Sequence, residues 1–298
     1  MKYTLLNENY SISFIERLLS VRNIASDIEA FFEPSLPSCW LDPFLLNGME
    51  KAVDHIIQAM KHQHKIMIFG DYDVDGITSS YSLYKFIKYF LKYPHVSIMY
   101  PSRREDGYGL KVSHLEQMKA KGIDLVITVD NGITSIEEAL YAKTLGIDLI
   151  ITDHHHPLNE LPTAVAVITP HCSPHYPFKD LAGVGVAFKL IMAMLSKCTF
   201  DTKKKNQIFN FFLPIVTIGT VADVVPLLGE NRFIVKKGLE LINRNSEGLL
   251  PSLQGFLSYL NIKSPIDTFH IGFVIGPRIN AGGRMESPYD SLNVFLYE

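Results

Sequence analysis

Five short apolar runs, separated by segments of helical spacing, constrain the fold of this chain more than any other feature. They cover residues 65–69, 96–100, 124–129, 148–152 and 164–168. The first is stopped by Gly70, as suits a strand buried on both faces. Residues 77–91, 111–121 and 135–145 lie between the runs and carry apolar residues at helical spacing. The last of these has Glu137 and Glu138 in its first turn, where carboxylates favour a helix. Strands alternating with helices predict an α/β fold, a mostly parallel five-stranded sheet with helices on both faces. A helix is also expected over residues 49–62, from Met49, Ala52, Val53, Ile56 and Ile57. Beyond residue 183 the strand signal fades and helical spacing continues. The chain thus divides into a helical lead-in (1–54) ending in a Pro-rich connector, an α/β domain (55–180) and a helical region (181–298).

The acids and histidines fall at one kind of place. Asp71, Asp73 and Asp75 follow the first run, Asp130 the third, and Asp153 and His154 the fourth. In an open parallel sheet these positions share the carboxyl edge, where such folds place their sites. In Gly70-Asp-Tyr-Asp-Val-Asp-Gly76, three carboxylates at alternate positions repel one another unless a cation joins them. The pattern starts like a calcium loop, but position 82 is Ser82 where that loop needs glutamate, and a strand precedes it. Taken alone, the triplet also reads as an acidic turn in which Asp75 caps the next helix. Asp130, His154 and Asp223 tip the reading towards a metal site.

Other features have two readings each. In Thr152-Asp-His-His-His-Pro157, His154 is the candidate ligand, its second ring nitrogen held by Asp153 or a backbone carbonyl. His155 is a candidate for facing a phosphate, and His156 reads as a surface residue. Asp223 is the one charge in residues 212–226, and a lone carboxylate there needs a partner or a metal. Gly183-Val-Gly185 is half a dinucleotide fingerprint with no strand directly before it, so it reads as a helix N-terminal turn. Gly276-Pro-Arg-Ile-Asn-Ala-Gly-Gly-Arg284 reads as a glycine-rich turn in which Arg278 and Asn280 grip phosphate. Arg103 and Arg104 suit the same task, against ion pairing with Glu105 or Asp106.

Composition sets the bounds. The chain has 298 residues, 47% hydrophobic, and a net charge of −3, which rules against disorder and against a general basic coat. Cys39, Cys172 and Cys198 form no C-x-x-C pair and fit a reducing compartment. The N-terminus lacks an apolar h-region, and residues 211–228 contain Pro214, Asp223 and Pro226, so no membrane association and a cytoplasmic location are expected.

Asp-Tyr-Asp-Val-Asp-Gly (71–76), Val-Asp-Asn-Gly-Ile (129–133), Thr-Asp-His-His (152–155) and Gly-Thr-Val-Ala-Asp-Val-Val-Pro-Leu (219–227) resemble the four motifs of the DHH phosphoesterase superfamily. Within it the chain is similar to the RecJ-like branch of single-strand-specific 5′→3′ DNA exonucleases. Leu41-Asp-Pro-Phe-Leu-Leu46, Leu181-Ala-Gly-Val-Gly-Val-Ala187 and Gly276-Pro-Arg-Ile-Asn-Ala281 add to the likeness. The resemblance implies two Mn²⁺ or Mg²⁺ ions held by Asp73, Asp75, Asp130, His154 and Asp223, with Asp71 as a ligand or an acid just behind. It makes Asp130 the bridge and sets His155 against the scissile phosphate, the two catalytic residues. Arg103, Arg278 and Asn280 would bind substrate, and Asp153 would support the histidines. It implies single-stranded DNA as substrate, in repair and recombination, with a single-strand-binding protein and a helicase as partners. Short oligonucleotides or cyclic dinucleotides, or non-catalytic DNA binding, are the alternatives. Many superfamily members carry a histidine where this chain has Phe69. Such exonucleases continue into a DHH-associated domain and an OB-fold, for neither of which residues remain after Glu298.

Overall fold

The computed structural model describes residues 6–7, 9–22, 24, 28–103, 106–244, 250–263, 265–285 and 287–297. Three short helices, α1 (Phe14–Val21), α2 (Ile28–Phe32) and α3 (Leu36–Cys39), lead to α4 (Met49–Lys61). The α/β part follows: β1 (Ile66–Gly70), α5 (Val74–Lys85), β2 (Val96–Met99), α6 (Val112–Ala120), β3 (Leu125–Val129), α7 (Ile136–Thr144), β4 (Asp148–Thr152) and β5 (Ala166–Ile168). Six helices complete the described residues: α8 (Gly183–Ser196), α9 (Thr202–Ala222), α10 (Gly229–Asn243), α11 (Pro251–Tyr259), α12 (Gly276–Met285) and α13 (Pro288–Leu296).

The sheet order is β2-β1-β3-β4-β5, and every pairing is parallel, as the alternation of strands and helices predicts. Successive residues of each strand point to opposite faces. Ile66, Ile68, Leu125, Ile127 and Ile150 join one apolar cluster with α4, α5, α8 and α9, while Met67, Phe69, Val126, Leu149 and Ile151 join another with α6 and α7. Both faces are covered, which is why the strands read as unbroken apolar runs. The expected ends shift by a few residues. α5 begins three residues before position 77, because Asp73 caps it by accepting the Gly76 N–H at 3.0 Å, and it runs on into a π-helical turn, Phe86–Phe90. The cap therefore falls to Asp73, not Asp75.

The apolar stretch around residue 211 lies in α9, which contains Pro214 and ends one residue before Asp223. No described helix is long and apolar enough to cross a membrane.

A buried ionic knot ties the chain before α4 to the helical region. The Lys189 ammonium pairs with the Glu230 carboxylate, both buried, and donates to the Leu41 carbonyl at 2.6 Å. It also lies 3.5 Å from the centre of the Trp40 ring. Glu230 accepts from the Leu41 amide at 2.9 Å and from the Tyr176 hydroxyl. Burial pushes the Lys189 ammonium down to about 8, against the pull of Glu230. Removing one partner from such a pair leaves a buried charge unmatched. Glu230→Gln is expected to cost about 3 kcal/mol of unfolding free energy, read as a lower midpoint in urea denaturation.

Candidate metal centre and active site

The strand register builds the site. Gly70 stands opposite Val129, and Val129 opposite Thr152. The residues that follow are Asp71, Asp130 and Asp153, so three carboxylates emerge side by side at one edge of the sheet. All three are buried. Asp130 holds a left-handed backbone, φ +61°, and the turn beneath it is pinned by Asn131. The Asn131 amide nitrogen donates to the carbonyls of Phe69 (3.2 Å) and Val129 (2.9 Å), and the Thr128 hydroxyl donates to the Asn131 carbonyl at 2.8 Å.

The N-terminus of α8 closes the site from above. Its Gly183 and Val184 amides donate to the two Asp75 carboxylate oxygens at 2.7 and 2.8 Å, an anion held where helix dipole and free amides favour it. A Cβ on Gly183 would lie 2.5 Å from the Asp130 carboxylate, so only glycine lets the helix come this near. The Gly-Val-Gly pattern is the helix N-terminal turn that the sequence suggests, and it borders the cluster.

Two trios of donors result. Ligand atoms of Asp71, Asp73 and Asp130 lie within 4.8 Å of one another, as do those of Asp75, His154 and Asp223. Asp130, His154 and His155 form a third such set that joins the two. The His154 Nε2 is 3.2 Å from Asp130 and 3.9 Å from Asp75, and its Nδ1 is 3.7 Å from Asp223.

The electrostatics show what is lacking. Burial first, then Asp73, pushes the carboxyls of Asp71 and Asp223 up to about 7. Burial and neighbouring carboxylates drive Asp75 and Asp130 well above the usual range. Burial lowers His154 to about 4, so this imidazole is neutral and has a free lone pair to offer. One oxygen each of Asp71, Asp130 and Asp223, and the His154 Nε2, are buried without a hydrogen-bond partner among the described residues. Buried polar atoms are nearly always satisfied. Carboxylate oxygens and a neutral imidazole, orphaned together, are the donor set of a divalent cation.

His155 differs from its neighbour. Its Nδ1 lies 2.7 Å from the Asp153 carboxylate, which raises the imidazole above its ordinary range. Burial acts upwards on Asp153, but the His155 bond and charge and the amides of Ile133 and His155 outweigh it and keep that carboxyl low. Asp153 thus holds His155, whereas the sequence offers it as a holder of His154. The carboxylate folds back onto its own loop, accepting the His154 and His155 amides at 2.7 and 3.0 Å. His154 has the backbone alternative, at Leu181. His156 is exposed and stacks on His171 with ring centres 4.1 Å apart.

The arginine-bearing motif at 276–284 is a correction. It is the helix α12, not a glycine-rich turn. Its glycines serve close packing: a Cβ on Gly283 would lie 2.5 Å from the Tyr72 carbonyl. The Asn280 side-chain oxygen accepts from the Val74 amide at 3.0 Å, so it braces the start of α5. Arg278 is exposed and donates to the Val274 carbonyl at 2.8 Å. Arg103 is exposed, with its guanidinium 5.4 Å from the centre of the Tyr72 ring between Asp71 and Asp73. Asp106 does not need Arg103: it accepts the Ser102 amide at 2.8 Å and lies 3.0 Å from His114. Arg104 and Glu105 lie outside the described residues. Phe69 is buried against His114 with ring centres 5.0 Å apart, and supplies no ligand.

Two contributors escape sequence reasoning. Asn131 is read there only as part of a motif, yet it fixes the turn under Asp130. The Tyr108 hydroxyl donates to the Asp130 carbonyl at 3.2 Å and lies 3.3 Å from the His155 Nδ1. Its signal is faint: an aromatic residue between Gly107 and Gly109, both with positive φ.

A sequence profile of the DHH family, N-terminal domain, matches residues 65–220. The chain belongs to the DHH family. Among known proteins it is similar to the single-stranded-DNA-specific exonuclease RecJ of Bacillus subtilis (41% identity over 265 residues, 86% of this chain and 31% of the relative) and of Salmonella typhimurium (38% over 282 residues, 91% and 47%). It spans less than half the length of these two relatives. A crystal structure of exonuclease RecJ bound to manganese matches with a TM-score of 0.74 and 30% identity over 84% of this chain and 61% of that one. RecJ of Thermus thermophilus in complex with Mn²⁺ matches with a TM-score of 0.77 and 27% identity, over 94% of this chain and 38% of that one.

The raised carboxyls make the metal-free protein sensitive to pH. Asp71 and Asp223 titrate near 7 when folded and near 3.8 when unfolded, so the fold holds protons that the unfolded chain has released. Their contribution is fully present below the unfolded value and lost as pH rises through about 7. The thermal midpoint in a chelating buffer should therefore fall between pH 5 and 8, about the two titration ranges. Mn²⁺ should raise it again most at the alkaline end, where the carboxylates are ready to bind.

Proposed function

We propose that this chain is the catalytic portion of a metal-dependent phosphodiesterase that degrades single-stranded DNA from the 5′ end. The observation that carries the reading is the pair of donor trios joined through Asp130 and His154, with four of their atoms buried and orphaned. Asp71, Asp73 and Asp130 would hold one Mn²⁺ or Mg²⁺ ion, and Asp75, His154 and Asp223 the other, with Asp130 between them. Such a pair of cations neutralises a phosphodiester and its departing oxygen. The relatives named as single-stranded-DNA-specific exonucleases support the choice of substrate over short oligonucleotides or cyclic dinucleotides.

The chain's own residues supply the rest. Asp153 fixes the His155 Nδ1, which leaves Nε2 as the ring atom able to meet the scissile phosphate. An imidazole whose carboxylate partner raises it holds its proton more firmly than a free one and would present it to a phosphate oxygen. Tyr108 and Asn131 steady the left-handed turn that aims Asp130. Arg103, beside Tyr72, would guide the strand into the cleft, and Arg278 and Asn280 would meet its backbone farther along. We assign residues 55–180 to the α/β phosphoesterase domain, 181–298 to the helical region that completes it, and 1–54 to a lead-in. A cytoplasmic setting in DNA repair and recombination, with a single-strand-binding protein and a helicase nearby, follows from the same reading.

Asp130→Ala is expected to lower Mn²⁺-dependent release of nucleotides from single-stranded DNA by about 10³-fold or more, given that one trio loses a donor and the set that joins the two trios loses its carboxylate. Strands labelled at the 5′ or the 3′ end report the polarity: early loss of the 5′ label is expected. Undiminished turnover in the variant, or DNA binding by the wild-type chain with no turnover, would contradict the proposal.

A further inference from the structure

Val224, one residue past Asp223, carries two costs at once. Its φ is +64°, a left-handed backbone that a β-branched side chain rarely adopts. Its side chain is 85% exposed, whereas Val221, Ala222 and Val225 around it pack against the core. The backbone task here is a helix ending: the Asp223 amide donates to the Gly219 carbonyl at 2.9 Å and the Val224 amide to that of Val221 at 3.3 Å. Glycine performs that task with neither cost. Strained residues concentrate where a site needs them, and the preceding side chain is the Asp223 carboxylate, 3.7 Å from the His154 ring.

An apolar side chain turned outward beside a cluster of carboxylates has nothing to offer a phosphate or a cation. A nucleobase is the apolar part of a strand that arrives with the phosphate, and every base has a face to offer. We propose that Val224 is a substrate-contact residue: the left-handed backbone holds its side chain off the core and against the face of the nucleobase beside the scissile phosphate. This rests on the reading of the cleft as a single-stranded-DNA phosphodiesterase. The contact is indifferent to sequence, since it reads a face and no hydrogen-bonding edge.

The test compares the wild-type chain with Val224→Gly and Val224→Ala. Each is assayed with Mn²⁺ on oligothymidylate and on a strand of the same length that lacks bases throughout. The readout is the ratio of the two KM values, the preference for the base-bearing strand, together with the thermal midpoint. Both variants should lose about five-fold of that preference, the scale of one modest apolar contact. Val224→Gly should do so with a midpoint no lower than the wild type, because glycine relieves the backbone. A preference within about twofold of the wild type in both variants would overturn the inference. So would equal losses on the two strands, which would mark a distorted site, or an unchanged preference with loss of binding to another protein. If the wild-type chain degrades neither strand, the phosphodiesterase reading fails and takes this inference with it. Wild-type turnover with unchanged variants defeats the inference alone.

Discussion

Parallel pairing of β1, β3 and β4 brings Gly70, Val129 and Thr152 level, and the next residue of each strand is an aspartate. Three buried carboxylates then stand within one crevice, and three more join them, Asp73 and Asp75 from the start of α5 and Asp223 from the end of α9. Like charges in a poorly solvated place repel strongly. The chain answers in part with the α8 amides on Asp75 and with His155, the countercharge felt by Asp71 and Asp223. It leaves the remainder unanswered, in atoms with no partner. That deficit is what makes the site a receptor for divalent cations.

The surrounding structure maintains the deficit. Apolar clusters on both faces of the sheet fix the strands in register. Gly183 allows a helix end to press within reach of Asp130, and Gly283 allows α12 to seat against Tyr72. Asn280 braces the first residue of α5, between Asp73 and Asp75, and Asn131 braces the turn under Asp130. The Lys189–Glu230 knot holds the segment before α4 to α10 and to α8, the helix whose first amides bind Asp75. Stability is thus invested in keeping unfavourable groups together, as expected of a preorganised site.

Much of this is legible in the residues. Unbroken apolar runs between helical segments can be satisfied by a parallel sheet, and that alone places Asp71, Asp130 and Asp153 at one edge. The misreadings share a physical cause. Glycines at 282 and 283 suggest a turn because glycine permits one, but in α12 they permit contact instead. The sequence leaves Asp153 or a backbone carbonyl open as the partner of His154, and the loop settles on the carbonyl by closing Asp153 onto His155. Tyr108 and Val224 act through backbone conformations, at Gly107, Gly109 and Val224 itself, that no periodicity encodes. Pairings that depend on how a loop closes are decided by tertiary structure, whereas strands buried on both faces announce themselves in composition.

The claim on which everything else turns is that the carboxylate edge takes two cations. Anomalous scattering from crystals grown with Mn²⁺ examines it without recourse to activity. Two peaks are expected, one among Asp71, Asp73 and Asp130 and the other among Asp75, His154 and Asp223. Crystals in saturating Mn²⁺ with no peak in either trio would contradict it.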